Sequence, residues 1–519
     1  MKTAKFVFLA IICSVIFSLD VAGQTTAALT RGVYLQMAAP DAITLRWRTD
    51  TATDSSVRYG TTQGSLTQTL NDGTVTTEHE VRLTGLTPNT RYFYSVGSTT
   101  QAVAGNDANH FFFTSPNSRQ SGSYRFWVLG DSGTADANAQ AVRNAYLAHN
   151  GPTYTNLLLM LGDNAYETGT DSEYQAAVFN MYPTVLRQTP LFPTIGNHDT
   201  AFSTDPPANL PYFQMFTLPS NAEVGGVASG TEKYYSINYG NVHFVCLDSM
   251  TSSRAVNGAM LTWLRNDLAQ NIHPWVIAFW HHPPYTKGSH NSDTESQLGE
   301  MRRNVLPILE SFGVDLVLAG HSHSYERSFL IDGHYDVSAT FTNAMKKNGG
   351  SGRENGDGAY TKSALRADLP NEGAVYAVAG SSGKLGGGLL NHPAMFISLN
   401  NLGSMILDVN NNRLDAKFLR ENGTIADYFT LIKGATTAAI GGRILTSTGL
   451  SVRGATVTAT GPSGIRAVSV TNSFGYYQFL GLSTGQSHTF TVRHRRYRVA
   501  SQVIFVTEPR SNLDFIALE

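Results

Sequence analysis

Cysteine is nearly absent from this 519-residue sequence, which contains only two. Cys13 lies in an N-terminal apolar stretch, and Cys246 lies in the alternating apolar segment VHFVCLDS. A small fold held together by several disulfides is therefore excluded. We expect Cys246 to be a buried and unreactive thiol.

Charge is also scarce. Asp, Glu, Lys and Arg make up 15% of the chain, against about 25% in an average soluble protein. The formal net charge is -2, so no nucleic acid or other polyelectrolyte partner is expected. Heptads and low-complexity repeats are also lacking, and the abundant glycine, threonine and serine are typical of secreted, β-rich proteins.

Long apolar runs are limited to the N-terminus. Lys2 and Lys5 precede the apolar stretch from Phe6 to Leu19, and small residues follow it. This pattern predicts a signal peptide over residues 1–23. A buried helix or a retained anchor is the alternative, although the run is short for a membrane span. No later stretch is long and apolar enough to span, so we expect a secreted protein, extracellular or periplasmic, with no membrane span in the mature chain.

Residues 24–116 show short alternating strands, including AITLRWRTD and TRYFYSV, separated by polar turns. This pattern predicts a β-sandwich. In LTGLTPNTRYFY, Leu86, Pro88 and Tyr92 have the spacing of a tyrosine corner, in which the phenol binds the preceding loop. The segment resembles the fibronectin type III-like domain that precedes the catalytic domain of purple acid phosphatases.

Residues 117–433 alternate strands with helical stretches. The strand YRFWVL is followed by ADANAQAVRNAYLAHN, and PWVIAFW is followed by ESQLGEMRRNVLPILESFG. Such alternation predicts an α/β domain whose functional groups gather on loops at strand ends.

The C-terminal part is again β-patterned. GATTAA, residues 434–439, predicts a linker, and residues 440–519 contain VRGATVTATG and TNSFGYYQFLGL. These segments resemble the carboxypeptidase regulatory-like domains, which are small prealbumin-like β-sandwiches. The domain is a candidate for binding a cell-surface or other ligand. Its basic run from Arg493 to Arg498 either contacts an anionic surface or, as we favour, forms a solvated strand face.

Five apolar runs in the α/β domain end in residues that can bind metals. The segments are WVLGDSG, LGDNAY, TIGNHD, FWHHPPY and LAGHSHSYER. A single Gly-Asp or a single histidine is more often structural, but five such strand ends in order are improbable by chance. Carboxylate, amide and imidazole ligands held on separate strands can fix two cations about 3.5–4 Å apart.

The ordered set GDxG, GDxxY, GNH, a histidine after an apolar strand and GHxH resembles that of the purple acid phosphatases, within the metallophosphoesterase superfamily. The resemblance implies that one metal is bound by Asp131, Asp163, Tyr166 and His323. It implies that Asp163 bridges to a second metal, which Asn197, His281 and His321 complete. His281 is assigned in preference to His282, because the family ligand directly follows the strand.

Tyr166 further implies that the first metal is Fe(III), since a phenolate is a hard anionic donor. The second metal is then a divalent Zn, Fe or Mn. Beyond the ligands, His198 and His290 are the candidate catalytic residues: His198 would protonate the leaving group, with Asp199 orienting it, and His290 would contact the phosphoryl oxygens.

The resemblance implies a secreted binuclear acid phosphatase that hydrolyses phosphate monoesters of small molecules by attack of a metal-bound hydroxide. One alternative is a phosphodiesterase or nucleotide phosphohydrolase that uses the same centre. The other is a surface-binding protein with an inactive central domain, which the complete ligand set disfavours.

Overall fold

The computed structural model describes residues 26–206, 209–362, 370–434, 437–461, 464, 466–484, 486–506 and 509–519. The predicted signal peptide lies outside the described residues.

The N-terminal domain is a β domain, as predicted. Within residues 26–116 its strands form one six-stranded sheet, in which the long β2 pairs with β1, β3 and β4. Its strands are β1 (Leu29–Gln36), β2 (Ile43–Gly60), β3 (Gln68–Leu83), β4 (Arg91–Gly97), β5 (Ala102–Gly105) and β6 (Phe111–Phe113). The Thr87 amide donates to the Tyr92 hydroxyl at 3.0 Å, which confirms the tyrosine corner.

The strands of the central domain form two large sheets and a short hairpin. They are β7 (Ser123–Leu129), β8 (Leu157–Met160), β9 (Leu191–Pro193), β10 (Tyr235–Tyr239), β11 (Val242–Cys246), β12 (Trp275–Trp280), β13 (Leu316–Ala319), β14 (Tyr325–Ser328), β15 (Leu330–Ile331), β16 (Lys346–Asn348), β17 (Tyr360–Lys362), β18 (Val375–Ala379), β19 (Met395–Leu399), β20 (Gly403–Asn410), β21 (Arg413–Arg420) and β22 (Ile425–Lys433).

In the described part of this domain, the two sheets have seven strands each. Their orders are β17-β22-β21-β20-β7-β8-β9 and β10-β11-β12-β13-β18-β14-β19. They pack face to face, with Phe126 against Phe244 at 4.9 Å and Tyr325 stacked on Phe418 at 4.0 Å between ring centroids. Strands β7 to β9 are parallel, as are β11, β12, β13 and β18.

Helices lie in the connections between these strands. The α-helices are α1 (Ala137–Asn150), α2 (Asp171–Tyr174), α3 (Pro183–Leu186), α4 (Pro211–Met215), α5 (Ala259–Gln270), α6 (Ser296–Glu300) and α7 (Leu306–Ser311), with π-turns at Gln175–Phe179 and Met301–Val305 and 3₁₀ turns at His198–Thr200, Ser338–Thr340 and Asn343–Met345. Helix α1 begins at a good N-cap, because Asp136 accepts from the amides of Asn138 and Ala139. The predicted α/β alternation is confirmed.

The C-terminal domain is a β-sandwich. Its strands are β23 (Thr437–Thr446), β24 (Thr456–Thr460), β25 (Arg466–Val470), β26 (Tyr476–Ser483), β27 (Gln486–Arg493), β28 (Arg498–Val499), β29 (Gln502–Val506) and β30 (Phe515–Leu518). In its described residues they form two four-stranded sheets, β26-β23-β30-β28 and β25-β24-β27-β29. Because β23 begins at Thr437, the last three residues of the predicted linker belong to a strand instead.

The N-terminal domain is anchored to the central domain by buried polar contacts. The Arg31 guanidinium is fully buried, lies 4.3 Å from the Phe179 ring centroid and donates to Asp171 at 3.1 Å. The Tyr34 hydroxyl donates to the Met215 carbonyl at 2.7 Å. Removing one partner of such buried contacts leaves a charge or donor unsatisfied, so the two domains are expected to stay together.

Two further sequence expectations concern burial and membrane spans. Cys246 is fully buried in β11, and burial raises the pKa of its thiol to about 12, in agreement with an inert role. Among the described residues, no helix combines the length and the apolar character that crossing a bilayer requires.

Buried histidines outside the predicted ligand set are expected to affect stability in acid. His392 is 2% exposed, its Nδ1 accepts from the Ala394 amide at 3.2 Å, and its Nε2 is buried without a hydrogen-bond partner. Burial lowers the pKa of His392 to about 3. The ordinary histidine pKa is about 6.5, so the unfolded chain binds this proton at a much higher pH than the folded one.

The contribution of His392 to the free energy of unfolding is therefore complete above about pH 6.5 and is lost as the pH falls towards 3. At pH 5 the loss is about 2 kcal/mol, from 1.36 kcal/mol per pH unit. His392→Asn keeps an acceptor for the Ala394 amide but cannot be protonated, so we expect its stability to fall less between pH 7 and pH 5. Urea unfolding at both pH values measures this, and equal losses in both proteins would contradict it.

Candidate metal centre

The predicted ligands follow five strands and meet at one edge of the two packed sheets. Strand β7 leads to Asp131, β8 to Asp163 and Tyr166, β9 to Asn197, β12 to His281, and β13 to His321 and His323. Parallel strands present their carboxyl ends at the same edge, so loops that are far apart in the sequence converge there.

Three of these positions have an unusual backbone. Asp131, Asp163 and His321 have positive φ angles of 54°, 50° and 65°. Such conformations cost a non-glycine residue about 1–3 kcal/mol and concentrate at functional positions. The loops are fixed to each other, since the Asp131 amide donates to the Gly162 carbonyl at 3.2 Å. The chain thus accepts strain to direct these side chains to one point.

A first cluster forms around the Tyr166 hydroxyl. This oxygen lies 3.2 Å from Asp131 Oδ1, 3.3 Å from Asp163 Oδ2 and 3.4 Å from His323 Nε2. Ligand atoms of Asp131, Asp163 and His323 all lie within 4.8 Å of one another. The cluster offers three oxygen donors and one imidazole nitrogen, a set that suits a hard cation.

A second cluster forms around the Asn197 amide oxygen. His281 Nε2 and His321 Nδ1 each lie 3.0 Å from it, and the two nitrogens are 3.2 Å apart. Asp163 joins the clusters, because its Oδ1 lies 3.4 Å from His281 Nε2 while its Oδ2 faces Tyr166. The structure thus brings all seven predicted ligands into two groups that share Asp163.

The charges in these groups fit bound cations. Burial, together with the charge of Asp163, raises the pKa of Asp131 well above its ordinary value. Burial also favours neutral Asp163, but the imidazoles of His281, His198 and His321 together outweigh it and lower the pKa of Asp163. Burial lowers the pKa of His281, yet Asp163 raises it to about 9. Protons thus balance the negative charge of the buried carboxylates, and metal cations could replace these protons.

The ring orientations of the two histidines also suit coordination. His281 Nδ1 donates to the Leu161 carbonyl at 2.8 Å, so Nε2, which is directed into the second cluster, is the nitrogen that can coordinate a cation once its proton has left. His321 directs Nδ1 into the cluster, and its Nε2 lies 3.5 Å from Glu295 Oε2. Outer carboxylates of this kind orient ligand histidines.

His282 lies behind this pair. Its Nδ1 is 2.8 Å from the Ser249 hydroxyl, and its ring is 4.4 Å from that of His321. Burial lowers the pKa of His282 well below its ordinary value, so it is neutral. A ring nitrogen of His282 nevertheless lies within 4.8 Å of ligand nitrogens of His281 and His321, so the choice of His281 over His282 stays a prediction.

His198 stands at the open edge of the first cluster. Its amide donates to Asp163 Oδ1 at 2.9 Å, and its ring packs between Tyr166 at 4.4 Å and Phe202 at 4.5 Å. Its Nδ1 donates to the Glu167 carbonyl at 2.7 Å, and Glu167 Oε2 lies 3.6 Å away. Nε2 is thereby left to face the centre, 3.9 Å from Asp163 Oδ2.

The predicted orientation of His198 by Asp199 is corrected by these contacts. Asp199 is fully buried and accepts from the Tyr174 hydroxyl at 2.6 Å and from the amides of Asn164 and Gly196. The two residues share the 3₁₀ turn His198–Thr200, in which successive side chains point about 120° apart. Asp199 therefore braces the loops beneath the centre, and Glu167 orients His198.

His290 reaches the centre from the loop after β12. Its ring lies 3.7 Å from that of His321 and 6.2 Å from that of His323. Its Nδ1 contacts Glu295 Oε2 at 2.9 Å. The proximity of His290 to the second cluster agrees with the predicted position.

Sequence reasoning missed four residues around the centre. They are Glu167, Phe202, Glu295 and Lys384. Glu167, Phe202 and Glu295 lie in loops without any distinctive pattern. Lys384 could have been identified from the sequence, because it follows β18 in AVYAVAGSSGK. This segment is an apolar run ended by glycine, like the five strands that precede the ligands.

Comparison with known families agrees with this architecture. Residues 30–115 match the model of the purple acid phosphatase N-terminal domain, residues 124–325 that of the calcineurin-like phosphoesterases, and residues 439–518 that of the carboxypeptidase regulatory-like domain. The chain is thus similar to the purple acid phosphatases and contains a calcineurin-like phosphoesterase domain. The predicted resemblance and all three domain types are confirmed.

Individual relatives of known name are distant in sequence from this chain. Purple acid phosphatase 15 of Arabidopsis thaliana is 30% identical over 278 residues, which cover 48% of this chain and 49% of the relative. A phosphoenolpyruvate phosphatase of Allium cepa is 29% identical, over 53% of this chain and 58% of the relative. The chain therefore spans about half the length of the curated relatives that it matches.

A solved structure supports the fold. The purple acid phosphatase from yellow lupin (Lupinus luteus) seeds superimposes with a TM-score of 0.60 at 16% identity, over 78% of this chain and 74% of the lupin chain. At this identity the likeness concerns the fold alone.

Proposed function

We propose that this protein is a binuclear metal-dependent acid phosphatase that hydrolyses phosphate monoesters. The observation that carries the proposal is the sharing of Asp163 between two ligand groups, with the His198 imidazole beside them. The name of the Allium cepa relative gives a phosphate monoester, phosphoenolpyruvate, as the compound on which that protein acts.

Each ligand group has a distinct role in this proposal. Asp131, Asp163, Tyr166 and His323 would hold Fe(III), while Asp163, Asn197, His281 and His321 would hold a divalent Zn, Fe or Mn. When bound, two such cations supply an ionised nucleophile and neutralise charge that develops on the phosphoryl oxygens. The strained loops keep the ligands in place before substrate arrives, so little reorganisation is needed.

His198 would act on the leaving group. Since the Glu167 carbonyl accepts from Nδ1, Nε2 is the atom that can give a proton to the leaving oxygen. The Glu167 carboxylate, 3.6 Å from Nδ1, would stabilise the imidazolium before transfer. His290, held by Glu295, would donate to a phosphoryl oxygen from the side of the second cluster.

We also propose that the protein is exported, on the basis of the signal-like N-terminal sequence. The substrate is expected to be a phosphorylated small molecule rather than a nucleic acid, in line with the low net charge. The C-terminal β domain carries none of the ligand residues and would serve in binding a surface or another ligand.

The activity is tested with the purified chain loaded with iron and zinc. We expect an aryl phosphate monoester to be hydrolysed faster than the matching bis-aryl diester below neutral pH, and a strong chelator to abolish both activities. Faster turnover of the diester would favour the phosphodiesterase alternative. Hydrolysis that persists after complete metal removal would overturn the proposal.

A coloured protein is expected if Tyr166 binds Fe(III), because phenolate-to-iron charge transfer absorbs visible light. Tyr166→Phe should then remove the visible band while iron is retained by the other ligands. Visible spectra together with elemental analysis of both proteins measure this. Tyr174→Phe is the matched control, since Tyr174 donates to Asp199 instead. A band that survives in Tyr166→Phe would show that the phenol is not a ligand.

A further inference from the structure

A glycine-rich segment passes directly beside the centre. After β18, the Gly380 amide donates to the Ser324 carbonyl at 3.2 Å and the Ser382 amide donates to the Gly130 carbonyl at 3.0 Å. At Gly383, an added Cβ would lie 2.9 Å from the Asp131 carbonyl oxygen. The Gly386 amide donates to the His323 carbonyl at 3.0 Å. The segment is therefore fastened to two ligand loops on both sides of Lys384.

Lys384 extends from this segment over the first cluster. Its Nζ lies 4.8 Å from the centroid of the Tyr166 ring. The side chain is half-buried, and in the described part of the chain no carboxylate lies within ion-pair distance of its ammonium.

Among the described residues this half-buried ammonium has no counter-ion, although it lies beside a centre for which we propose phosphate binding. Lysines elsewhere in the central domain are commonly paired, as Lys417 is with Asp408 at 3.1 Å and Lys287 with Asp293 at 3.3 Å. A cation held over an aromatic face gains some stabilisation from the ring, but it keeps its capacity to bind an anion. Its hydrogen-bond donors remain available to a ligand.

We propose that Lys384 binds a non-bridging oxygen of the substrate phosphate and makes the centre selective for monoesters. This inference rests on the proposed phosphatase function. A monoester dianion carries one more negative charge than a diester, and the additional charge is what an unpaired ammonium recognises. His290 would contact the phosphate from the side of His321, and Lys384 from the side of Tyr166 and His323.

The test compares Lys384→Met, which keeps the length but removes the charge, with Lys384→Arg, which keeps the charge. Loss of a hydrogen bond to a charged group typically changes a binding equilibrium constant by about 10- to 100-fold. We expect Lys384→Met to lower kcat/KM for an aryl monoester by about this factor and to raise the inhibition constant of inorganic phosphate similarly. The diester should lose less than about threefold, and Lys384→Arg should recover much of the monoester activity.

Controls separate this role from a structural one. Lys417→Met removes a charge from β21, away from the ligand loops, and should leave the monoester-to-diester ratio unchanged. The visible band of Lys384→Met should stay as in the parent if Tyr166 keeps its position. Equal losses on both esters, or no loss on either, would overturn the inference while the phosphatase function stands. A parent protein that hydrolyses neither ester would overturn the proposed function itself.

Discussion

Replacing Asp163 by asparagine is expected to abolish activity and to reduce binding at both metal positions. The Asp163 carboxylate faces the ligand atoms of both clusters, with Oδ2 3.3 Å from the Tyr166 hydroxyl and Oδ1 3.4 Å from His281 Nε2. An amide of the same shape provides a neutral oxygen on one side and a hydrogen-bond donor on the other. Both positions would therefore lose an anionic ligand at once.

Elemental analysis and turnover of an aryl phosphate measure this effect. Metal ions contribute several kcal/mol to transition-state stabilisation, so we expect a loss of about 10³-fold or more at 1.36 kcal/mol per factor of ten. Asp131→Asn is the matched control, because Asp131 Oδ1 lies beside the Tyr166 hydroxyl of the first cluster, while its Oδ2 meets the second cluster only through the main-chain amide of His321. Its loss should lower binding mainly at the first position. Two tightly bound metals in Asp163→Asn would contradict the bridging role.

Replacing His198 by alanine is expected to have an effect that depends on the leaving group. If Nε2 gives a proton to the leaving oxygen, an alkyl phosphate should lose about 10²–10⁴-fold in kcat, the usual range for general acid catalysis. An aryl phosphate with a good leaving group needs little protonation and should lose much less. Parallel kcat measurements on the two esters give the ratio.

Phe202→Ala serves as the control for this variant. Phe202 packs against the His198 ring at 4.5 Å but carries no proton donor, so its removal should affect both esters to a similar and smaller extent. Equal losses on both esters in His198→Ala would show that His198 binds or positions the phosphate. Glu167→Gln, which weakens the stabilisation of the imidazolium, should reproduce the alkyl-specific loss in milder form.

The ligand loops show which site residues a local sequence pattern can identify. An apolar run stopped by glycine or a polar ligand residue indicates a buried strand, and five such runs identified all seven residues that the structure brings together. The same rule applied to AVYAVAGSSGK would have identified Lys384. Where no strand precedes a residue, as for Glu295, the sequence carried no comparable signal.

Asp199 shows where local reasoning fails. Its position next to His198 suggested a contact, but the 3₁₀ turn directs the two side chains apart and Asp199 bonds to Tyr174 and Asn164. The direction of a side chain in a loop depends on backbone angles that are set by neighbouring loops, and the carbonyl that orients His198 belongs to Glu167, 31 residues away.

By itself the sequence determined the resemblance to the purple acid phosphatases, the three domain types and the set of residues that meet in the two clusters, because each of these depends on short patterns of strands, turns and ligand types. Only the tertiary structure decided that Asp163 faces both clusters, that Glu167 rather than Asp199 orients His198, and that the Lys384 ammonium lies over the Tyr166 ring. These features depend on how two sheets pack and how their loops are held in positive-φ conformations. Such contacts join segments that are distant in the chain, and no local pattern records which of them will meet.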